Sequence, residues 1–142
     1  MKLQPTPRQT LGDLTQEHVA AAINWFVKMS DATRWNISHA EAAELLGGIT
    51  VNKYNNLKRK AAAGLPIKVS RDILERLSLL LGIWKALQLV VPSDRQDLAY
   101  QWFNQPNTSH IFQKKSIKQY ILDRQSMEAL YVVKRYLDAT TT

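Results

Sequence analysis

Two adjacent glycines, Gly47 and Gly48, set between two short runs of helical spacing, restrict this chain more than any other feature. Ahead of them Ser38 and Glu41 form the Ser-x-x-Glu pattern of a capping box, in which each residue satisfies a backbone N–H that the first helical turn leaves unpaired. The glycines then permit the left-handed backbone that ends a helix. Thr50 is placed to cap a second helix, and there Val51, Tyr54 and Leu57 follow the spacing of one face and predict its buried side. Residues 37–60 therefore read as a helix-turn-helix, with small Ala43 one helical turn before Gly47 and a turn slightly longer than the tightest of its kind.

The outward face of the second helix would carry Asn52, Lys53, Asn55, Asn56, Lys58, Arg59 and Lys60, beside the capping Thr50. Asparagine can pair bidentately with adenine, arginine or lysine with guanine, and the trailing cations can neutralise phosphates beside the groove. A polar, cationic back is also what any solvated surface helix presents. The charge distribution favours a polyanionic partner: of a net charge of +7, residues 47–76 carry 7 cations against 2 anions, whereas residues 1–46 carry 4 against 5 and residues 77–142 carry 8 against 5. A weaker basic cluster is Lys114, Lys115 and Lys118.

A chain of 142 residues buries about two-thirds of its extended surface and supports a real core. It has no cysteine, which excludes a disulfide framework and thiolate metal sites. Residues 1–14 are polar, contain Pro5 and Pro7, lack the apolar core of a secretory signal and predict a flexible lead-in. The longest apolar stretch, residues 77–91, is interrupted by Ser78, Gly82, Lys85 and Gln88 and stops at Pro92, so a buried helix is expected and no membrane span. The expectation from these features is an intracellular, cytoplasmic protein.

Every strong periodic signal is helical, which predicts an all-α fold. Thr15 is read as the cap of a first helix with the stripe Val19, Ile23, Phe26 and Val27, fading over residues 29–33. Residues 61–66, three alanines followed by Gly64, Leu65 and Pro66, end the helix-turn-helix and set a boundary between a DNA-binding domain (15–66) and a second helical domain (67–142). In the latter, Ser70 caps a long helix with Ile73, Leu74, Leu77, Leu80, Leu81, Trp84 and Leu87 on its apolar face. Ser93 with Gln96 predicts a capping box before a short helix bearing Leu98, Tyr100, Trp102 and Phe103, and residues 104–109 form a loop. Ser116 with Gln119 predicts another box, and Ser126 caps a final helix with Leu130, Val133 and Leu137 inward and Tyr131, Lys134, Arg135 and Tyr136 largely exposed.

Catalytic chemistry is hard to assemble from these residues. His18, His39 and His110 are far apart and lack metal-ligand spacing. Glu41 and Glu44 lie a turn apart, yet capping and solvation account for both. With 5 glycines there is no phosphate-binding loop, dinucleotide turn or nucleophile elbow. The expectation is a protein that is not an enzyme and uses no metal or cofactor. Trp25, Trp84 and Trp102 sit in apolar helical stretches and suit a core better than base stacking.

The order of elements, with Trp102-Phe103-Asn104-Gln105-Pro106-Asn107 after a long apolar helix and Ser116-Ile117 to Ile121-Leu122 beyond it, resembles the Xre/MbcA/ParS antitoxin family from residue 37 to the end. Trp102, Pro106 and Asn107 match that family's loop, Ser116 its following helix, and Val132-Val133-x-x-Tyr136-Leu137 its last helix. Family members carry a glycine-containing turn and a Ser-Pro pair where this chain has Phe112-Gln113-Lys114-Lys115-Ser116-Ile117, a divergence from the pattern. The resemblance implies a type II antitoxin that neutralises a toxin of the RES or ParT type, which consumes NAD or uses it for ADP-ribosylation, and that represses its own operon. Its partners would be that toxin, a double-stranded DNA operator and a second copy of itself. Tyr131, Lys134, Arg135 and Tyr136 are then the candidate toxin contacts. Two readings stand beside it: a helix-turn-helix regulator whose second domain only dimerises, and a helical adaptor whose basic face meets an acidic protein.

Overall fold

Hydroxyl side chains start most of the helices. Ser38, Thr50, Ser70 and Ser116 each accept a hydrogen bond from the backbone N–H three residues on, as does Ser126 from Ala129 at 3.2 Å. A computed structural model describes residues 16–141 and contains α1 (Val19–Met29), α2 (His39–Leu45), α3 (Val51–Ala63), α4 (Arg71–Val90), α5 (Asp97–Asn104), α6 (Ile117–Arg124) and α7 (Met127–Thr141). Short 3-10 turns occupy Gln16–His18 and His110–Phe112. Among the described residues there is no strand, so the fold is all-α, and no helix is long and apolar enough to cross a membrane. The lead-in over residues 1–14 and the Thr15 cap lie outside the described residues.

The helix at the centre is α4, packed by α7 along its length and by α1 and α5 on other sides. Its buried residues are Ile73, Leu77, Ser78, Leu79, Leu80, Ile83, Ala86 and Leu87, while Leu74, Leu81 and Trp84 are half-buried. The stripe predicted for it is thus only half-buried at Leu74, Leu81 and Trp84, while Leu79, Ile83 and Ala86 outside it are buried. A helix enclosed on several sides has no single apolar face for periodicity to find. Its N-terminal turn also supports the helix-turn-helix. Gly47 sits so close to the Arg76–Asp72 ion pair (2.9 Å) that a Cβ there would lie 2.8 Å from Asp72 Oδ2.

Trp35 welds the two halves of the chain. It lies in the loop after α1, outside every helix, yet it is fully buried, whereas Trp25, Trp84 and Trp102 pack only partly against the core. Its ring stacks on Phe103 of α5 at 4.0 Å and 10°, with Trp25 and Trp84 edge-on at 5.8 and 6.1 Å. Asn104 Nδ2 donates to the Trp35 carbonyl at 2.7 Å. Lys118 of α6 donates to the Asn36 carbonyl at 2.8 Å and to Glu41 of α2 at 3.2 Å. One hydrophobic cluster, from Val19 to Leu137, runs across the 66/67 landmark without a break.

Two expected capping boxes take other forms. Near Ser93 the chain turns first and α5 begins only at Asp97, with the Gln96 side chain donating back to the Pro92 carbonyl at 3.2 Å. At Ser116 the serine caps as expected, but Gln119 turns its side chain to Asp123 instead of the cap backbone.

Candidate nucleic-acid interface and partner cleft

The pair α2 and α3 forms the expected helix-turn-helix. Ser38 and Glu41 make both bonds of the capping box, at 3.1 and 3.0 Å, and Gly47 (φ 106°) and Gly48 (φ 77°) carry the turn. Thr50 Oγ1 accepts from the Lys53 N–H at 3.0 Å, so its oxygen serves α3 as a cap. Gly64, at φ 71°, ends α3. Tyr54, Leu57 and Ala61 form its buried side, and Tyr54 meets Phe26 of α1 edge-on at 6.3 Å. Burial pushes the Tyr54 hydroxyl above its ordinary range, against a smaller opposing effect of a hydrogen bond with Ser30.

Val51 departs from the predicted buried face. At 38% exposure it stands on the surface at the first position of α3, where the chain has only just left the turn and the core lies behind Tyr54. Asn52, Lys53, Asn55, Asn56 and Arg59 are exposed, and Asn56 Oδ1 accepts from the Arg59 guanidinium. Lys58 and Lys60 are half-buried and so are less outward than expected. Lys58 leans back over the Tyr54 ring, with Nζ 5.7 Å from its centroid, and approaches His39 Nε2 at 3.2 Å. At 3.6 residues per turn Asn52, Asn55, Asn56 and Arg59 form the centre of the outward face, with Lys58 on one flank and Lys53 and Lys60 on the other.

On another part of the molecule the loop after α5 and the end of α7 enclose a cleft of about 260 Å³ lined by Trp102, Gln105, Pro106, Asn107, Thr108, Tyr136 and Thr140. Asn107 shapes it: its N–H donates to the Lys115 carbonyl at 3.0 Å and its Oδ1 accepts from the Ser109 N–H at 2.7 Å. Beneath, buried Phe112 meets Tyr120 and Tyr136 edge-on at 5.1 and 5.0 Å. Gln113 (φ 53°) and Lys114 (φ 67°) hold the left-handed backbone that suits glycine, and Ile117 takes the first helical position of α6, where proline fits best. Glycine at Gln113 or Lys114 and proline at Ile117 would suit this backbone, although the chain carries neither there.

The four residues singled out on the last helix divide. Tyr136 joins Trp102, Pro106 and Asn107 in the cleft, and Arg135 is exposed. Tyr131 faces α4 instead, where its hydroxyl donates to Glu75, and that bond raises its pKa above the usual phenol range. Lys134 is held against Asp138 one turn on, its side chain only 18% exposed. Of the four expected to be largely exposed only Arg135 is so: Tyr131, Lys134 and Tyr136 are half-buried, because α7 lies along α4 and its end packs on Phe112. Sequence reasoning missed Gln105, Thr108 and Thr140, whose contribution depends on how the loop meets the helix end and leaves no mark in local spacing.

Over 121 residues the chain is 32% identical to the uncharacterized protein y4oB of Sinorhizobium fredii (strain NBRC 101917 / NGR234), which covers 85% of this chain and 84% of that protein. The chain belongs to the y4oB family. With 21 of its 142 residues outside the matched stretch, that stretch contains residues 22–121 wherever it starts. Both the helix-turn-helix and the loop around Pro106 therefore fall within the kinship to y4oB. No family model matches the sequence, and no solved structure matches it.

Proposed function

We propose that the protein is a type II antitoxin that binds its operator through α3 and holds an NAD-consuming toxin of the RES or ParT type at the cleft between the Trp102–Asn107 loop and α7. The observation that carries the reading is that the Trp102, Pro106 and Asn107 loop and Tyr136, about thirty residues further on, line one cleft on a chain that also presents an exposed Asn- and cation-rich α3. The left-handed backbone at Gln113 and Lys114 supports the same family pattern. In this reading the protein catalyses nothing and binds no cofactor. A homodimer in the bacterial cytoplasm would set two copies of α3 about 34 Å apart, or a multiple of that, on an inverted repeat.

Sequencing the neighbouring reading frames for a small protein of RES or ParT type, and co-expressing any such protein with this chain, tests the proposal. A stable complex, together with loss of that partner's NAD consumption, is the expected result. A sequence-specific duplex shift without any such partner would leave a stand-alone regulator. The absence of both would leave an adaptor for an acidic protein.

A further inference from the structure

A second cleft, open and polar and of about 490 Å³, lies between the end of α1, the loop after it and the flank of α3; its charged and aromatic lining is Lys28, Asp31, Arg34, His39, Tyr54 and Lys58. Three of these are basic side chains and one is an imidazole. Asp31 is the carboxylate among the described lining residues, and it is turned to its own loop, accepting from the Thr33 N–H at 2.9 Å and from the Thr33 hydroxyl. Arg34 stands between this cleft and a neighbouring one that it lines with Tyr100, its guanidinium 5.5 Å from that ring's centroid and its Nη1 3.5 Å from the hydroxyl, so it can turn to either. Lys58 spends one contact on His39 Nε2. An ammonium has three donors, so two remain for a ligand in the cleft.

The position of the cleft says which ligand. A helix seated in a major groove has a phosphate backbone on each side, and α3 has Lys53 and Lys60 on one flank and Lys58 on the other. On the Lys58 flank the cleft adds Lys28, Arg34 and His39 from outside the helix. We propose that this cleft is a phosphate-binding site that clamps one backbone phosphodiester beside α3, with Lys28, Arg34 and Lys58 as its donors and His39 holding Lys58. The duplex as source rests on the DNA-binding reading above; a free phosphate compound offers the same chemistry without it.

Two measurements on the full-length protein decide the matter. One follows backbone amide shifts during titration with inorganic phosphate and with AMP, against chloride at matched ionic strength. The other is the salt dependence of duplex binding for the wild type, Lys28→Gln, Lys58→Gln and, as a control on α4, Lys85→Gln, with melts confirming that each is folded. The expected result is a slope of log K on log salt that falls by about 0.9 for Lys28→Gln and for Lys58→Gln and is unchanged for Lys85→Gln. If a duplex binds but Lys28→Gln behaves as Lys85→Gln and phosphate leaves residues 28–39 unshifted, the clamp is overturned and the DNA reading survives. If no duplex binds yet phosphate or AMP shifts those residues, and does not in the Lys28→Gln/Lys58→Gln double variant, the site stands as one for a free phosphate compound and the DNA reading falls. If neither probe responds, both fall.

Discussion

At the scale of single residues, the largest fully buried side chain among the described residues lies in a loop. Trp35 is fully enclosed by Trp25, Trp84 and Phe103, so Trp35→Ala removes a large buried surface and should cost about 3–5 kcal/mol, whereas Trp84→Ala, starting from a half-buried ring, should cost clearly less. Urea denaturation of the two variants checks the order, and a more damaging Trp84→Ala would contradict it. Lys114 points the other way. Its φ of 67° strains a residue with a Cβ by about 1–2 kcal/mol, and glycine would relieve that at an entropic cost of about 0.5–1 kcal/mol. Lys114→Gly should therefore stabilise the protein by roughly 0.5–1 kcal/mol, read as a higher urea midpoint at unchanged m. Neither fact was legible in the sequence. A loop tryptophan announces no burial, because its partners Trp84 and Phe103 lie far along the chain, and a Gln-Lys pair announces no left-handed backbone, because the bonds that close the turn, such as Lys115 N–H to the Phe112 carbonyl, are made by backbone whatever the side chains.

At the scale of elements, local chemistry was legible wherever the signal was itself local. Ser38, Thr50, Ser70, Ser116 and Ser126 cap as their positions predict, because a cap bond is closed within four residues. Ser93 failed because the chain leaving Val91 must turn before α5 can pack, and Gln96 is drawn back to Pro92. The outward face of α3 was read correctly at Asn52, Lys53, Asn55, Asn56 and Arg59 and overstated at Lys58 and Lys60, while Val51, read as buried, is exposed because burial at the first helical position depends on the angle at which the turn delivers the helix. The link between α2 and α6 was invisible from spacing and carries a pH signature. Burial opposes ionisation of Glu41, but hydrogen bonds from the Ser38 N–H and Lys118, with the Lys118 charge, outweigh it and hold the carboxyl below its ordinary value. A depressed folded-state pKa contributes stability at pH above the unfolded value, about 4.3, and loses it as pH falls through the folded value. Glu41→Gln should thus be less stable than wild type at pH 7 and converge on it in acid. A gap that stays constant from pH 7 down to pH 3 would mean the carboxylate contributes no charge-dependent tie.

At the scale of the whole molecule, the sequence suggested two domains meeting near Pro66, while the packing runs through that point in one core. Composition marks where the chain turns, and it says nothing of whether the pieces on either side can stand alone. Here the turn at Gly47 rests on Asp72 and Arg76, Trp35 rests on Phe103, and Lys118 reaches Asn36 and Glu41. The last helix is equally committed, since Ala129, Leu130, Val133 and Leu137 are buried and α7 lies along α4. Removing residues 127–142 would strip several core side chains, each worth about 1.5–3 kcal/mol when fully buried, from a fold whose total stability is on the order of 5–15 kcal/mol. Such a truncation should unfold the helix-turn-helix along with the cleft, so it cannot separate operator binding from partner binding. Point changes on the cleft rim can: Pro106→Ser is expected to weaken the partner complex while leaving the duplex shift and the melt near wild type. The cooperativity itself is testable by calorimetry, where the full chain should unfold in one transition with matching calorimetric and van't Hoff enthalpies. Two resolved transitions, or a fragment of residues 1–66 that melts cooperatively alone, would show that the halves are independent after all.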